Sequence, residues 1–174
     1  MYSPKEDSFL LLNNLKKYIK PKIKFLEIGA GSGIISKQAK KLGAEVLAVD
    51  IDNEAVKKMK KQIPIIKSDL FRNLKNQKYD LIVFNPPYLP EHKYDKKKDT
   101  SGGKKGDETI IRFLKQAKNH LNNNGKILLI SSSLTPMEKI NKILDKDYKN
   151  KTIDKKKLFF EQLYLYEISL KTHK

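Results

Sequence analysis

The sequence contains no cysteine and no tryptophan, and Arg72 and Arg112 are the only arginines among its 37 basic residues. Without cysteine the chain forms no disulfide and no cysteine-built zinc site, and we predict no metal site. No apolar run approaches the ~20 residues of a membrane-spanning helix, and the amino terminus lacks the charged-then-apolar order of a signal peptide. The sequence therefore predicts a soluble, cytoplasmic protein without membrane contact, folded as one domain over residues 1–174.

Positive charge is in large excess, with a formal net charge of +17. Such an excess favours an acidic partner such as RNA, or a protein already bound to RNA, because lysine neutralises phosphate. The lysines are nevertheless spread over the whole chain, a distribution that is also typical of compositional drift or adaptation to heat. The charge alone therefore leaves contact with RNA open.

Strand and helix patterns alternate along the chain. Helices are predicted over residues 4–19, 53–61, 107–121 and 137–144, with a further amphipathic stretch that ends at Leu42. Strands are predicted over residues 23–28, 46–49, 64–67, 79–84, 126–130 and 163–170, the last of them after a lysine-rich stretch. Residues 91–106 are predicted to be a long loop that either folds over a substrate or is disordered. The alternation predicts an α/β fold with a parallel, doubly wound sheet and an added terminal strand or hairpin.

A glycine-rich turn follows the first predicted strand. Gly29, Gly31 and Gly33 let the backbone approach a ligand closely, and the start of the next helix favours an anion such as a carboxylate or phosphate. The dinucleotide-binding pattern would need glycine or alanine at Ile34. Glu27, just before the turn, would repel a pyrophosphate but attract the cationic amino acid end of S-adenosylmethionine. This spacing therefore favours S-adenosylmethionine over a dinucleotide.

Carboxylates also follow the next two predicted strands. Asp50 ends the second strand, where its side chain could accept both hydroxyls of a ribose. Asp69 ends the third strand and could accept the amino group of an adenine. Each has another interpretation, because Asp50 or Asp52 could cap the following helix and Asp69 could be a turn residue. The ordered set of carboxylates at successive strand ends is more specific than any one member.

The tetrapeptide Asn85-Pro86-Pro87-Tyr88 follows an apolar run that predicts a buried strand. Two prolines cannot continue a strand ladder, so they fix the backbone at the place where open α/β sheets bind ligands. The Asn85 Oδ1 atom and the Pro86 carbonyl could accept both hydrogens of a planar NH2 group while the Tyr88 ring packs on its face. The tetrapeptide therefore indicates methyl transfer to an amide or amino nitrogen.

These segments resemble one branch of the class I S-adenosylmethionine-dependent methyltransferases, the archaeal and eukaryotic HemK-like protein glutamine methyltransferases. The resemblance spans nearly the entire chain. It is carried by YSPKEDSFLL at residues 2–11, LEIGAGSG at 26–33, DID at 50–52, SDL at 68–70, FNPPY at 84–88 and GGKKG at 102–106. It implies a Rossmann-like fold with a mostly parallel seven-stranded sheet, a terminal antiparallel strand and helices on both faces.

The resemblance also implies an activity and a set of site residues. The activity is methylation of the glutamine side-chain amide in the Gly-Gly-Gln motif of a class I translation release factor, with S-adenosyl-L-homocysteine as the product. The residues implied to contact the cofactor are Ser8, Glu27, Gly29, Asp50, Asp69 and Leu70. We predict that Gly31, Gly33 and Asn85 contact it as well. Asn85 and Tyr88 would bind the substrate, and Asn85, Pro86, Pro87 and Tyr88 would form the catalytic segment. A small zinc-binding activator protein would dock along the third strand at the sheet edge.

Two other functions remain open at this point. An adenine N6-methyltransferase acting on RNA or DNA could use the same tetrapeptide on a flipped base. A non-catalytic scaffold that binds S-adenosylmethionine would also keep the glycine-rich turn. The intact segment from Asn85 to Tyr88 argues against the scaffold.

Overall fold

The structure is a computed structural model that describes residues 5–87 and 106–171. Within these residues the helices and strands are arranged around one sheet. The helices are α1 (Glu6–Leu15), α2 (Ile34–Lys41), α3 (Asn53–Met59), α4 (Glu108–His120) and α5 (Glu138–Asp147). The strands are β1 (Lys24–Ile28), β2 (Glu45–Asp50), β3 (Ile65–Lys67), β4 (Tyr79–Phe84), β5 (Leu121–Ser132), β6 (Tyr148–Lys157) and β7 (Gln162–Leu170). None of the helices in these residues is long and apolar enough to cross a membrane.

The seven strands lie in the order β3-β2-β1-β4-β5-β7-β6. The pairs from β3 to β5 are parallel, whereas β7 is antiparallel to both of its neighbours. This confirms the predicted mostly parallel sheet with an antiparallel terminal strand. The last strand in the sequence does not lie at the sheet edge, because it inserts between β5 and β6.

Apolar side chains alternate between the two faces of the central strands, as the pleat of a strand requires. In β4, Leu81 and Val83 pack in one cluster with Leu11 of α1, while Ile82 packs in another cluster with Phe113 of α4. Helices therefore cover both faces of the sheet, as predicted. The two clusters hold the strand ends rigidly beneath the loops that follow them.

Several element boundaries differ from those predicted, and one strand was not predicted. The first helix ends at Leu15 rather than at residue 19, and its predicted start at Pro4 lies outside the described residues. The fifth strand begins at Leu121, directly after α4, rather than at residue 126. The lysine-rich stretch from Tyr148 to Lys157 forms β6, an edge strand whose exposed side chains give no apolar alternation. Lysines on an exposed edge strand discourage pairing with another molecule. A search for alternating apolar residues cannot detect such a strand.

Gly33, just before α2, is expected to resist substitution. Its φ is +69°, and an added Cβ would lie 2.8 Å from the Met59 Cε atom. We expect Gly33→Ala to lower the free energy of unfolding by about 1–2 kcal/mol, measured by urea denaturation. The matched control is Gly43→Ala, because Gly43 also has a positive φ, +92°, but its Cβ would meet Pro21 at an ordinary 3.5 Å. Equal losses in the two variants would contradict a role for the contact with Met59.

Candidate functional site

A cavity of about 330 Å³ lies at the carboxyl ends of β1, β2 and β4. Open α/β sheets bind ligands at this edge, where the strand order reverses direction. Its walls come from the loops after these three strands, the start of α1 and the turn between β6 and β7. The lining residues are Lys5, Glu6, Asp7, Ser8, Glu27, Gly29, Ala30, Gly31, Ser32, Ile34, Ile35, Asp50, Ile51, Asp52, Ala55, Phe84, Asn85, Pro86, Pro87, Leu158, Glu161 and Leu163.

The glycine-rich turn forms the floor of this cavity. Gly29, Gly31 and Gly33 have φ values of +69°, +51° and +69°, in the left-handed region that favours glycine. The Gly29 amide donates to the Val49 carbonyl at 2.8 Å, and the Gly31 amide donates to the Asp50 Oδ2 atom at 2.7 Å. The turn is thereby bound to the end of β2. Of the three glycines, Gly29 and Gly31 line the cavity.

Asp50 and Asp52 have separate tasks. Asp52 is the residue before α3, and its side chain accepts a hydrogen bond from the Glu54 amide at 2.8 Å. Asp50 lines the cavity as Asp52 does, but its two oxygens accept from the amides of Gly31 and Asp52 rather than from the helix. Burial raises the pKa of Asp50, and these amide bonds oppose the rise. The helix cap is therefore Asp52, which leaves Asp50 in the place where a ribose contact was predicted.

Glu27 is a buried carboxyl at the cavity wall. Its Oε2 atom accepts from the Ser36 amide at 2.9 Å and also from the Ser36 hydroxyl. Burial raises the pKa of Glu27 to about 8, the bonds from Ser36 oppose that rise, and the negative charge of Asp50 adds to it. Ser36, in the first turn of α2, was not predicted as a site residue. A cationic group at the cavity would favour the ionised form of Glu27.

The charge of the cavity is opposite to that of the whole chain. Among the described residues its lining includes six acidic side chains but only one basic side chain, Lys5. The carboxylates are Glu6, Asp7, Glu27, Asp50, Asp52 and Glu161. Such a lining favours a cationic ligand over an anionic one, because like charges repel strongly where water is excluded.

Asn85 carries a polar atom that has no partner among the described residues. Its Oδ1 atom is buried and has no hydrogen-bond partner within the described part of the chain. Buried polar atoms are nearly always paired in folded proteins, so an N–H donor from a ligand fits this position. Pro86 and Pro87 line the same cavity beside it. Tyr88, the fourth residue of the predicted catalytic segment, lies outside the described residues.

Not every predicted cofactor residue lies at the cavity. Ser8 lines it, but Asp69 and Leu70 are absent from the lining formed by the described residues. The Asp69 Oδ2 atom accepts from the Arg112 guanidinium at 2.6 Å. Leu70 is buried in the core with a φ of +50°. Contacts of these two residues with a cofactor therefore stay predictions.

Glu161 is a cavity residue that the sequence did not predict. It lies in the turn between β6 and β7, and its Oε2 atom accepts from the Ser132 hydroxyl at the end of β5. Local sequence gave no signal, because a single glutamate between two short apolar segments is ordinary. Only the pairing of β7 with β5 brings this turn to the ends of the parallel strands.

Comparisons with known proteins agree with this geometry. The family model described as methyltransferase small domain matches residues 5–161. A candidate protein N5-glutamine methyltransferase of Methanocaldococcus jannaschii is 40% identical, over 94% of this chain and 88% of that protein. A ribosomal protein L11 methyltransferase of Caldicellulosiruptor saccharolyticus is 42% identical over 46% of this chain and 29% of its own length. Among solved structures, an E. cuniculi Mtq2-Trm112 complex that methylates the eRF1 termination factor matches with a TM-score of 0.82 at 23% identity, covering 98% of both chains.

Proposed function

The chain belongs to the methyltransferase small domain family as an S-adenosylmethionine-dependent enzyme, and from this premise we propose that its methyl acceptor is the side-chain amide of a protein glutamine. The observation that carries the proposal is the buried Oδ1 atom of Asn85 at the cavity, which no described residue hydrogen-bonds. A primary amide brings the N–H donor that this oxygen lacks. The name of the M. jannaschii relative supports glutamine as the acceptor.

The cavity fits S-adenosylmethionine by charge. When bound, this cofactor supplies an electrophilic methyl group on a cationic sulfur, and its amino acid end carries an ammonium group. We expect Glu27 to hold the ammonium group and Asp50 the ribose hydroxyls, with the glycine-rich turn beneath them. The acidic lining supports this assignment, because it disfavours the phosphates of a dinucleotide.

The acceptor nitrogen has to be oriented, because an amide lone pair is shared with its carbonyl and is a poor nucleophile. The Asn85 Oδ1 atom would accept one N–H and the Pro86 carbonyl the other, which fixes the direction of the nitrogen. These acceptors also stabilise the positive charge that develops on nitrogen. Tyr88 is predicted to pack on the amide plane. The mechanism needs no strong base.

We propose as substrate the glutamine of the Gly-Gly-Gln motif in a class I translation release factor. The structural match to a complex that methylates eRF1 supports a termination factor as the substrate. It also supports a small activator protein, since that enzyme was solved together with Trm112. β3 lies at one edge of the sheet, where the resemblance implies that the activator docks. Zinc binding by the activator and contact with RNA stay predictions.

Radiolabelled methyl transfer tests this function. The chain is incubated with S-adenosylmethionine and a purified class I release factor, with the same factor carrying glutamine changed to alanine, or with bulk RNA or DNA, each with and without the activator. We expect label only in the unaltered factor. Label confined to nucleic acid would indicate that the methyl acceptor is adenine N6, which is the main alternative function. No label anywhere, with the activator present, would favour the non-catalytic scaffold.

The affinity for S-adenosylmethionine is predicted to fall as the pH is lowered below about 8. In the free chain, burial raises the pKa of Glu27 to about 8, so at lower pH its carboxyl is mostly protonated. An ammonium group binds the ionised carboxylate, so binding must release that proton. The dissociation constant should then rise by up to about tenfold per pH unit. Calorimetric titration between about pH 6 and pH 8 measures this dependence, and a flat profile would contradict it.

A further inference from the structure

Two adjacent phenylalanines are exposed at the turn between β6 and β7. Phe159 and Phe160 are 92% and 86% exposed, and their rings pack edge to face with centroids 4.6 Å apart. They form the centre of a tight turn, which the Leu158 amide closes by donating to the Glu161 carbonyl at 2.8 Å. Such turns usually carry glycine, asparagine or aspartate. Two large apolar rings at this place therefore serve no local structural need.

The turn is fixed to the rest of the molecule on both sides. The Gln162 amide donates to the Ser133 hydroxyl at 3.0 Å, and the Ser133 amide donates to the Gln162 carbonyl at 2.8 Å. On the β6 side, the Lys156 amine lies 3.7 Å from the carboxylate of Glu6 in α1. The aromatic pair is thus presented on a rigid support, which lowers the entropic cost of binding a partner.

The position of the turn connects it with the methyl transfer site. Leu158 and Glu161, which flank the aromatic pair, both line the same cavity as Asn85. Phe159 and Phe160 are therefore adjacent to the wall of this cavity, where a macromolecule that places one side chain in the cavity can contact them. The lysines that precede the pair, Lys155 to Lys157, are exposed and add positive charge to that surface.

We propose that this hairpin tip, Phe159 and Phe160 together with Lys155 and Lys157, docks the folded protein substrate. The aromatic pair would enter an apolar socket on the substrate domain, and the lysines would face an acidic rim around it. Phenylalanine is among the aromatic residues enriched in protein interfaces, and charged groups outside the apolar core steer the partner. The two rings pack edge to face and so form one compact apolar knob. This proposal rests on the proposed function.

The test is the double variant Phe159→Ser with Phe160→Ser, assayed on the full chain with its activator and a purified release factor. We expect the KM for the folded factor to rise about tenfold or more, as for loss of an interface anchor. The kcat at saturation, the affinity for S-adenosylmethionine and the rate with a short Gly-Gly-Gln peptide should change less than about twofold. Phe9→Ser is the matched control, because Phe9 is 48% exposed on α1 and lies outside the cavity lining.

A charge variant tests the rim separately. Lys155→Glu with Lys157→Glu should raise the KM for the folded factor and weaken its dependence on salt, whereas Lys149→Glu at the far end of the same strand should not.

Each contrary outcome has a distinct meaning. Transfer to the factor with an unchanged KM in the aromatic double variant would overturn the docking role and leave the proposed function intact. A weakened affinity of this variant for S-adenosylmethionine would show instead that the tip contacts the cofactor. Loss of binding to a labelled RNA oligonucleotide, with an unchanged KM for the factor, would show that the tip binds RNA. Absence of transfer by the unaltered chain would overturn both proposals.

Discussion

Replacing Asn85 by alanine is expected to lower turnover about a hundredfold at saturating cofactor, the usual cost of losing one preorganised polar partner of a transition state. The variant lacks the Oδ1 atom that would orient the acceptor N–H, so the nitrogen samples directions from which transfer does not occur. Because this oxygen has no hydrogen-bond partner in the described part of the protein, its removal breaks no hydrogen bond among the described residues. The free energy of unfolding should therefore change by less than about 0.5 kcal/mol.

Two measurements separate this role from a structural one. Single-turnover transfer from labelled S-adenosylmethionine to the release factor gives the rate of the chemical step, and urea denaturation gives the stability. A slow but stable variant supports the role of Asn85 in orienting the acceptor. Unimpaired turnover would contradict it, and a large loss of stability would show that Asn85 mainly holds the loop after β4.

Replacing Glu27 by glutamine is expected to weaken binding of S-adenosylmethionine about tenfold to a hundredfold while it stabilises the free chain. The affinity falls because the variant lacks the negative charge that would hold the ammonium group, a loss comparable to that of a buried charged hydrogen bond. The stability of the free chain rises because Glu27 is buried. In the folded chain Glu27 has a pKa of about 8, against an ordinary value of 4.5, so ionising this carboxyl opposes folding. Stability that is present below about pH 4.5 is therefore lost as the pH rises towards 8.

Glutamine avoids that loss because it is never charged, and its amide oxygen can still accept the bonds from Ser36. At pH 7 we expect the variant to be more stable by about 1–3 kcal/mol, measured by urea denaturation without cofactor. The matched control is Glu45→Gln, because Glu45 is an exposed strand residue outside the cavity. It should change neither stability nor cofactor affinity. A Glu27→Gln chain that is less stable at pH 8 would contradict this account.

Much of the site could be predicted because it is local in sequence. The glycine-rich turn, Glu27, Asp50 and Asn85 each adjoin a strand with a clear apolar run, and parallel strands bring their carboxyl ends to one edge of the sheet. Knowing the strands was therefore enough to bring these residues together. The same reasoning could not separate Asp50 from Asp52, which depended on which carboxylate faces the first turn of α3.

The rest depended on contacts between segments that are distant in sequence. Glu161 reaches the cavity only because β7 pairs with β5, and Asp69 pairs with Arg112 of α4, more than forty residues away. The strand β6 carries exposed lysines rather than alternating apolar residues, so its edge position leaves no trace in the pattern. Predicting long-range pairing of this kind requires knowledge of the whole strand order in the sheet.

The insertion of β7 between β5 and β6 also sets an order of assembly during synthesis. Since β6 has β7 as its only neighbour among the described strands, it cannot join the sheet until the ribosome has released the residues of β7. Until then β5 remains an open edge, and the wall of the cavity formed by Leu158, Glu161 and Leu163 is missing. A nascent chain that ends before Gln162 should therefore be unable to retain cofactor, so the enzyme becomes competent only after β7 has been synthesised.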